Sequence, residues 1–131
     1  MPRFSQTSLS TLSTCNPLLE KIAKEAITTV DFSILCGHRT KDWQDKAFRE
    51  GKSTKKWPSS KHNSWPSKAF DIAPWPIDWE DEKRFFQLAI VILFIALEKN
   101  IPVRWGGAWD GVPNKKGQLN DLGHFELLEN C

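Results

Sequence analysis

An α+β fold is what this sequence predicts, with a small antiparallel sheet and helices packed on one side of it. Three observations carry that expectation. Apolar residues recur at helical spacing in stretches flanked by capping residues. Short runs rich in β-branched and aromatic residues, DFSILCG, AFDIA, IPVRW and GHFELL, are bounded by Gly, Pro and Asn. The later runs have no crossover helix between them, which favours antiparallel pairing.

Taken in order, Asn16-Pro17 reads as an N-cap followed by proline at the first helical position. Leu18, Leu19, Ile22, Ala23, Ala26, Ile27 and Val30 then mark one helical face. DFSILCG reads as a strand stopped by glycine. Thr40 caps a second helix, KDWQDKAFRE, which Gly51 ends. Residues 52–68 are rich in Ser, Lys and Pro without periodicity, and read as loop. AFDIA is a strand ended by Pro74 and Pro76. Asp78 is placed to cap a long apolar helix over about 79–99, with Asn100 after its end. IPVRW is a short strand, GGAWDGVPNKKGQ a glycine-rich loop, and GHFELL the last strand.

The chain of 131 residues has room for one core and is expected to be a single domain over 1–131. A net charge of +2 is too small to indicate nucleic acid as a partner. Cys15, Cys36 and Cys131 are odd in number and widely spaced, which argues against a disulfide framework and fits synthesis in a reducing cytoplasm. Cys36 lies in the apolar run FSILC and reads as a core residue. The polar N-terminus lacks the apolar stretch of a secretory signal. Residues 85–97, FFQLAIVILFIAL, are short for a membrane span and fit a buried helix, so no membrane insertion is expected.

The chemistry lies in three histidines and two aspartates. His62 and Asp71 bracket SSKHNSWPSKAFDIAP, and Asp121 and His124 share NDLGHFE. Two imidazoles and one carboxylate suit a catalytic zinc that keeps a position open for water. Asp121 is then the candidate base. Helical H-E-x-x-H is absent, so the class of metallopeptidase built on that motif is excluded. Ordinary structural readings stand beside these: a solvated His62, an Asp71 paired to a cation, a turn at Asp121 and a half-buried His124.

At these residues the sequence resembles the M15 zinc peptidases, the D-Ala-D-Ala (VanY-type) carboxypeptidase and L-alanyl-D-glutamate peptidase group, and within it the single-domain phage endolysins. SKHNSWPSKAFDIAP resembles the group's S-x-H…A-x-D motif, and DLGHFE its D/E-x-x-H motif. HRT resembles its arginine segment, and RWGGAW a substrate-side Trp-Gly-Gly-x-Trp segment. The likeness runs from Gly37 to Leu127. It implies a hedgehog/DD-peptidase-like fold and one zinc held by His62, Asp71 and His124. It implies Asp121 as general base and Arg39 as the cation facing the substrate carbonyl or oxyanion. Ser60, Trp105, Gly106, Gly107 and Trp109 are implied at the substrate side. Ser60 also reads as a loop turn, and the Trp-Gly-Gly segment as a tight turn with tryptophan in the core. No family position needs His38. The chain departs from the common motif in having eight residues, not six, between His62 and Asp71, and in Ala108 after Gly-Gly.

The function so implied is zinc-dependent hydrolysis of the peptide stem of bacterial peptidoglycan, at L-alanyl-D-glutamate or a nearby bond. The protein would be a monomeric endolysin made in the host cytoplasm and acting on the wall after release. A D,D-carboxypeptidase acting on D-Ala-D-Ala and a non-catalytic zinc-stabilised wall-binding domain are the alternatives.

Overall fold

The computed structural model describes residues 2–108 and 121–128. A four-stranded antiparallel sheet has the order β1-β2-β4-β3, where β1 is Phe32–Cys36, β2 Ala69–Pro74, β3 Val103–Trp105 and β4 His124–Leu127. The helices are α1 (Gln6–Leu12), α2 (Pro17–Ala26), α3 (Lys41–Arg49) and α4 (Glu82–Glu98), with short 3₁₀ turns at Lys61–Asn63 and Gly106–Ala108.

Side chains alternate across a strand, so the two central strands divide their residues between two faces. Phe70 and Ile72 of β2, with Phe125 and Leu127 of β4, enter the hydrophobic core. α4 closes over that face through Phe85, Leu88, Ala89, Ile92, Ile95 and Ala96, and α2 adds Leu19, Ile22, Ala23 and Ala26. The residues between, Asp71, His124 and Glu126, fall on the opposite face. Asp71 pairs in register with His124 across β2 and β4, and with Cys36 across β1 and β2.

The expected strands and helices form, with three differences. α1 was not anticipated, because QTSLSTL is rich in residues that favour caps and turns over helix interiors. It is held by Ser5, whose Oγ accepts from Ser8 N, and by packing of Leu12. The buried Ser8 hydroxyl accepts from Ile34 N, giving a partner to a donor on the outer strand β1. α2 ends at Ala26, before Thr28 and Thr29, and Thr28 Oγ1 donates back to Glu25 O. α4 starts at Glu82 under Asp81, not under Asp78; Asp78 instead accepts from Glu80 N in a local turn. Thr40 caps α3 as expected, accepting from Trp43 N. Gly51, at φ 74°, takes the left-handed conformation that follows α3.

Candidate functional site

β2 and β4 present Asp71 and His124 side by side, and the 3₁₀ turn brings His62 onto them. Ser60 makes that turn: its Oγ accepts from His62 N, while its own N–H donates to Asn63 Oδ1 in a capping box. Arg39 N donates to His62 O at 2.7 Å and fastens the turn to the end of β1. The two residues by which this segment exceeds the common motif are absorbed outside the site. Trp65 is 69% exposed and lies edge-on to His38.

Three atoms converge. His62 Nε2 is 3.3 Å from His124 Nδ1 and 3.3 Å from Asp71 Oδ1, and His124 Nδ1 is 2.9 Å from Asp71 Oδ1. Ligands about 2.0–2.1 Å from a tetrahedral ion stand about 3.3 Å from one another, so the triangle has the edges such an ion needs. The outer ring nitrogens are also committed. His62 Nδ1 donates to Gly37 O at 2.7 Å, and His124 Nε2 donates to Glu126 Oε1 at 2.8 Å. Carbonyl and carboxylate partners of this kind fix the tautomer and orientation of metal-ligating histidines.

Among the described residues, two overlapping groups can hold a metal ion: Cys36, His62 and Asp71, and Asp71, Asp121 and His124. Cys36 Sγ lies 3.8 Å from His62 Nδ1, the nitrogen already bonded to Gly37 O and not the Nε2 that belongs to the triangle. His38 belongs to neither group; its Nδ1 donates to Ser64 O.

The charges around the triangle are coupled. Burial alone would lower the pKa of His62, but its bonds to Asp71 and Cys36 outweigh that and raise it to about 10. His124 is likewise raised, its contacts with Asp71 and Glu126 overcoming burial. Burial opposes ionisation of Asp71, yet the two imidazoles hold its carboxyl far below the ordinary range. Raised imidazoles and a lowered carboxyl both favour a positive charge held at the triangle, the place a divalent cation would take. For Asp121 the balance is reversed: desolvation and the charge of Asp71 raise its pKa against the pull of His124.

These groups lie in a cavity of about 290 Å³ that Arg39, Ser60, Asp121 and Glu126 also line. Arg39 Nη2 is 3.6 Å from Asp71 Oδ2, on the side away from the histidines, and Nη1 donates to Gln44 Oε1 at 2.9 Å. Its Nε is buried with no partner among the described residues. Trp105, Gly106 and Gly107 do not line the cavity. Trp105 belongs to the core, stacked on Phe125, and its indole N–H donates to Leu122 O. Gly106 packs so closely on the Asp121 carbonyl that a Cβ there would collide with it. The segment thus anchors the turn carrying Asp121, whose N–H donates to Gly106 O. Trp109 lies outside the described residues.

Two residues escaped the sequence reading. Glu126 was legible, since period-two alternation puts it on the face of His124. Gln44, fully buried, was not: only the structure shows its Oε1 accepting from Arg39 and Asn63 and its Nε2 donating to Ser53 Oγ and Lys55 O.

A buried pair of histidines and a carboxylate, backed by fixed partners at the floor of a cleft, defines a protein with a candidate metal centre on an α+β scaffold. Residues 1–128 match the family described as phage L-alanyl-D-glutamate peptidase, and the chain belongs to that family. The L-alanyl-D-glutamate peptidase of Escherichia phage T5 is 31% identical over 96% of this chain and 98% of its own length. The crystal structure of the Serratia marcescens L-Ala D-Glu endopeptidase ChiX superposes with a TM-score of 0.78 at 27% identity. That match covers 97% of this chain and 91% of ChiX.

Proposed function

We propose that this protein is a zinc-dependent peptidase of the M15 group that hydrolyses the L-alanyl-D-glutamate bond in the stem peptide of bacterial peptidoglycan. The observation that carries the reading is the triangle of His62 Nε2, Asp71 Oδ1 and His124 Nδ1, in a cavity that also holds Asp121 and Arg39. One zinc per chain, held by those three atoms, would act as a Lewis acid on the scissile carbonyl and on a water.

The remaining work falls to the chain. Asp121 takes the proton of the attacking water and returns it to the leaving amine; its raised pKa suits a group that must do both. Arg39 faces the charge that grows on the carbonyl oxygen, and its contact with Asp71 holds the guanidinium at the site before substrate arrives. Ser60 shapes the turn that presents His62. A purely structural metal site needs neither Asp121 nor Arg39, which weighs against a non-catalytic wall-binding domain.

Membership of the family supports action on the cell wall, and we read the protein as a monomeric endolysin made in the host cytoplasm. Among the described residues no helix is long and apolar enough to cross a membrane. Mass spectrometry of fragments released from purified peptidoglycan, with zinc measured on the same samples, tests the reading. New L-alanine C-termini and D-glutamate N-termini are expected, with zinc and activity both lost in His124→Ala. Release of terminal D-alanine instead, or full zinc in His62→Ala, Asp71→Ala and His124→Ala, would overturn it.

A further inference from the structure

The cavity is chemically lopsided. Its β4 side carries carboxylates, Asp121 and Glu126, beside Asp71 of β2. The segment after α3 contributes cations to the same lining through Lys52 and Lys55. That segment is tied down: Lys52 N donates to Ala47 O at 2.9 Å, and the buried Gln44 donates to both Ser53 Oγ and Lys55 O. Lys52 is 3.3 Å from Glu50. Lys55 has no ion pair among the described residues, although it stands within a site already crowded with charge.

From this arrangement we infer that Lys55, assisted by Lys52, forms a carboxylate subsite that selects a substrate with a free acid on the leaving-group side of the scissile bond. The inference rests on the peptidase reading and deepens it. A D-glutamyl residue whose nitrogen is cleaved from L-alanine has two carboxyl groups. At most one continues the peptide, so one remains as an anion a few bonds from the reacting nitrogen. Turned towards β4, that anion would meet Asp121 and Glu126 and be repelled. Turned towards the segment after α3, it meets two ammonium groups. The charge of the cavity thus fixes the direction in which the stem peptide lies across the triangle. Lys61, the third lysine in the lining, donates to Leu127 O and is occupied in holding β4.

The test compares a peptide containing the L-Ala–D-Glu bond with its analogue in which the free carboxylate is amidated. kcat/KM is measured on the zinc-loaded full chain, and binding by calorimetry in the Asp121→Asn variant, where turnover is suppressed. The wild type should prefer the acid, and the preference should shrink as salt rises. Lys55→Met should cut the acid-to-amide ratio about five-fold, mainly through KM, and loss of both lysines about ten-fold or more. Lys55→Arg should restore most of the ratio, which a purely structural role of Lys55 would not predict. Equal binding of acid and amide, or a ratio unmoved by Lys55→Met, would overturn the subsite. Tighter binding of the acid with cleavage of neither peptide would support the subsite and overturn the peptidase reading.

Discussion

On strands β2 and β4, Phe70, Ile72, Phe125 and Leu127 enter the core, while Asp71, His124 and Glu126 between them form the polar site. Both sets are well covered, but for different reasons. The core side is stabilised by removing apolar surface from water and tolerates no voids. The site side gathers carboxylates and imidazoles whose charges are sustained by one another and by fixed hydrogen bonds. A step of one residue along either strand passes from stability to chemistry, so neighbouring substitutions should fail in separable ways.

The largest separation is expected at Asp121, which we propose as the base and not as a ligand. Asp121→Asn should lower kcat about 10²–10⁴-fold while zinc content and melting behaviour stay near wild type. Steady-state kinetics with metal analysis checks this; near-normal kcat would remove Asp121 from proton transfer. On the other face, Phe125→Ala should cost about 3–5 kcal/mol of stability through the cavity left beside Phe70 and Trp105. Denaturant unfolding measures that cost, and a loss below about 1 kcal/mol would show that the site face, not the core, holds the sheet together.

This division explains what could be read from the chain. β-Branched and aromatic runs bounded by glycine and proline made the strands legible, and the ligand chemistry and motifs at Asp71 and His124 marked those two residues. His62 was legible as a candidate ligand from its residue type and motif, but its aim was not. What aims it is the Ser60 cap and the Arg39 backbone contact, which depend on distant segments meeting. Gln44 was invisible for the same reason, since its partners lie on three separate stretches of chain. Trp105 could be read either as a cleft residue or as core, and periodicity in a three-residue strand cannot choose between them; the structure places it in the core. α1 was missed because its stability comes from its cap and from docking on β1, not from its own propensity.

A smaller effect should appear at the support of the site. Glu126→Gln keeps the volume but weakens the acceptor for His124 Nε2, and should lower zinc affinity about 10–100-fold. Competition with a chromogenic chelator reads this out, and an unchanged affinity would reduce Glu126 to a packing residue.

The smallest effect is the pH dependence of the metal-free protein. His62 is raised from 6.5 to about 10 in the folded chain, so its contribution to stability is fully present below 6.5 and is lost as pH rises through about 10. Asp71 is lowered, so its contribution is present above the ordinary carboxylate value and is lost as pH falls through its folded value. Melting curves of chelator-stripped protein should therefore decline towards both extremes. The alkaline decline should vanish in His62→Asn; its persistence there would assign it to another group.

The central claim is that one metal ion is held by two imidazoles and a carboxylate, with Cys36 outside its coordination shell. X-ray absorption at the zinc edge of the loaded protein tests this most directly. Nitrogen and oxygen neighbours at about 2.0–2.1 Å with an imidazole scattering pattern and no sulfur are expected. A sulfur neighbour at about 2.3 Å would place Cys36 on the metal and contradict the assignment of His62, Asp71 and His124 as the ligand set.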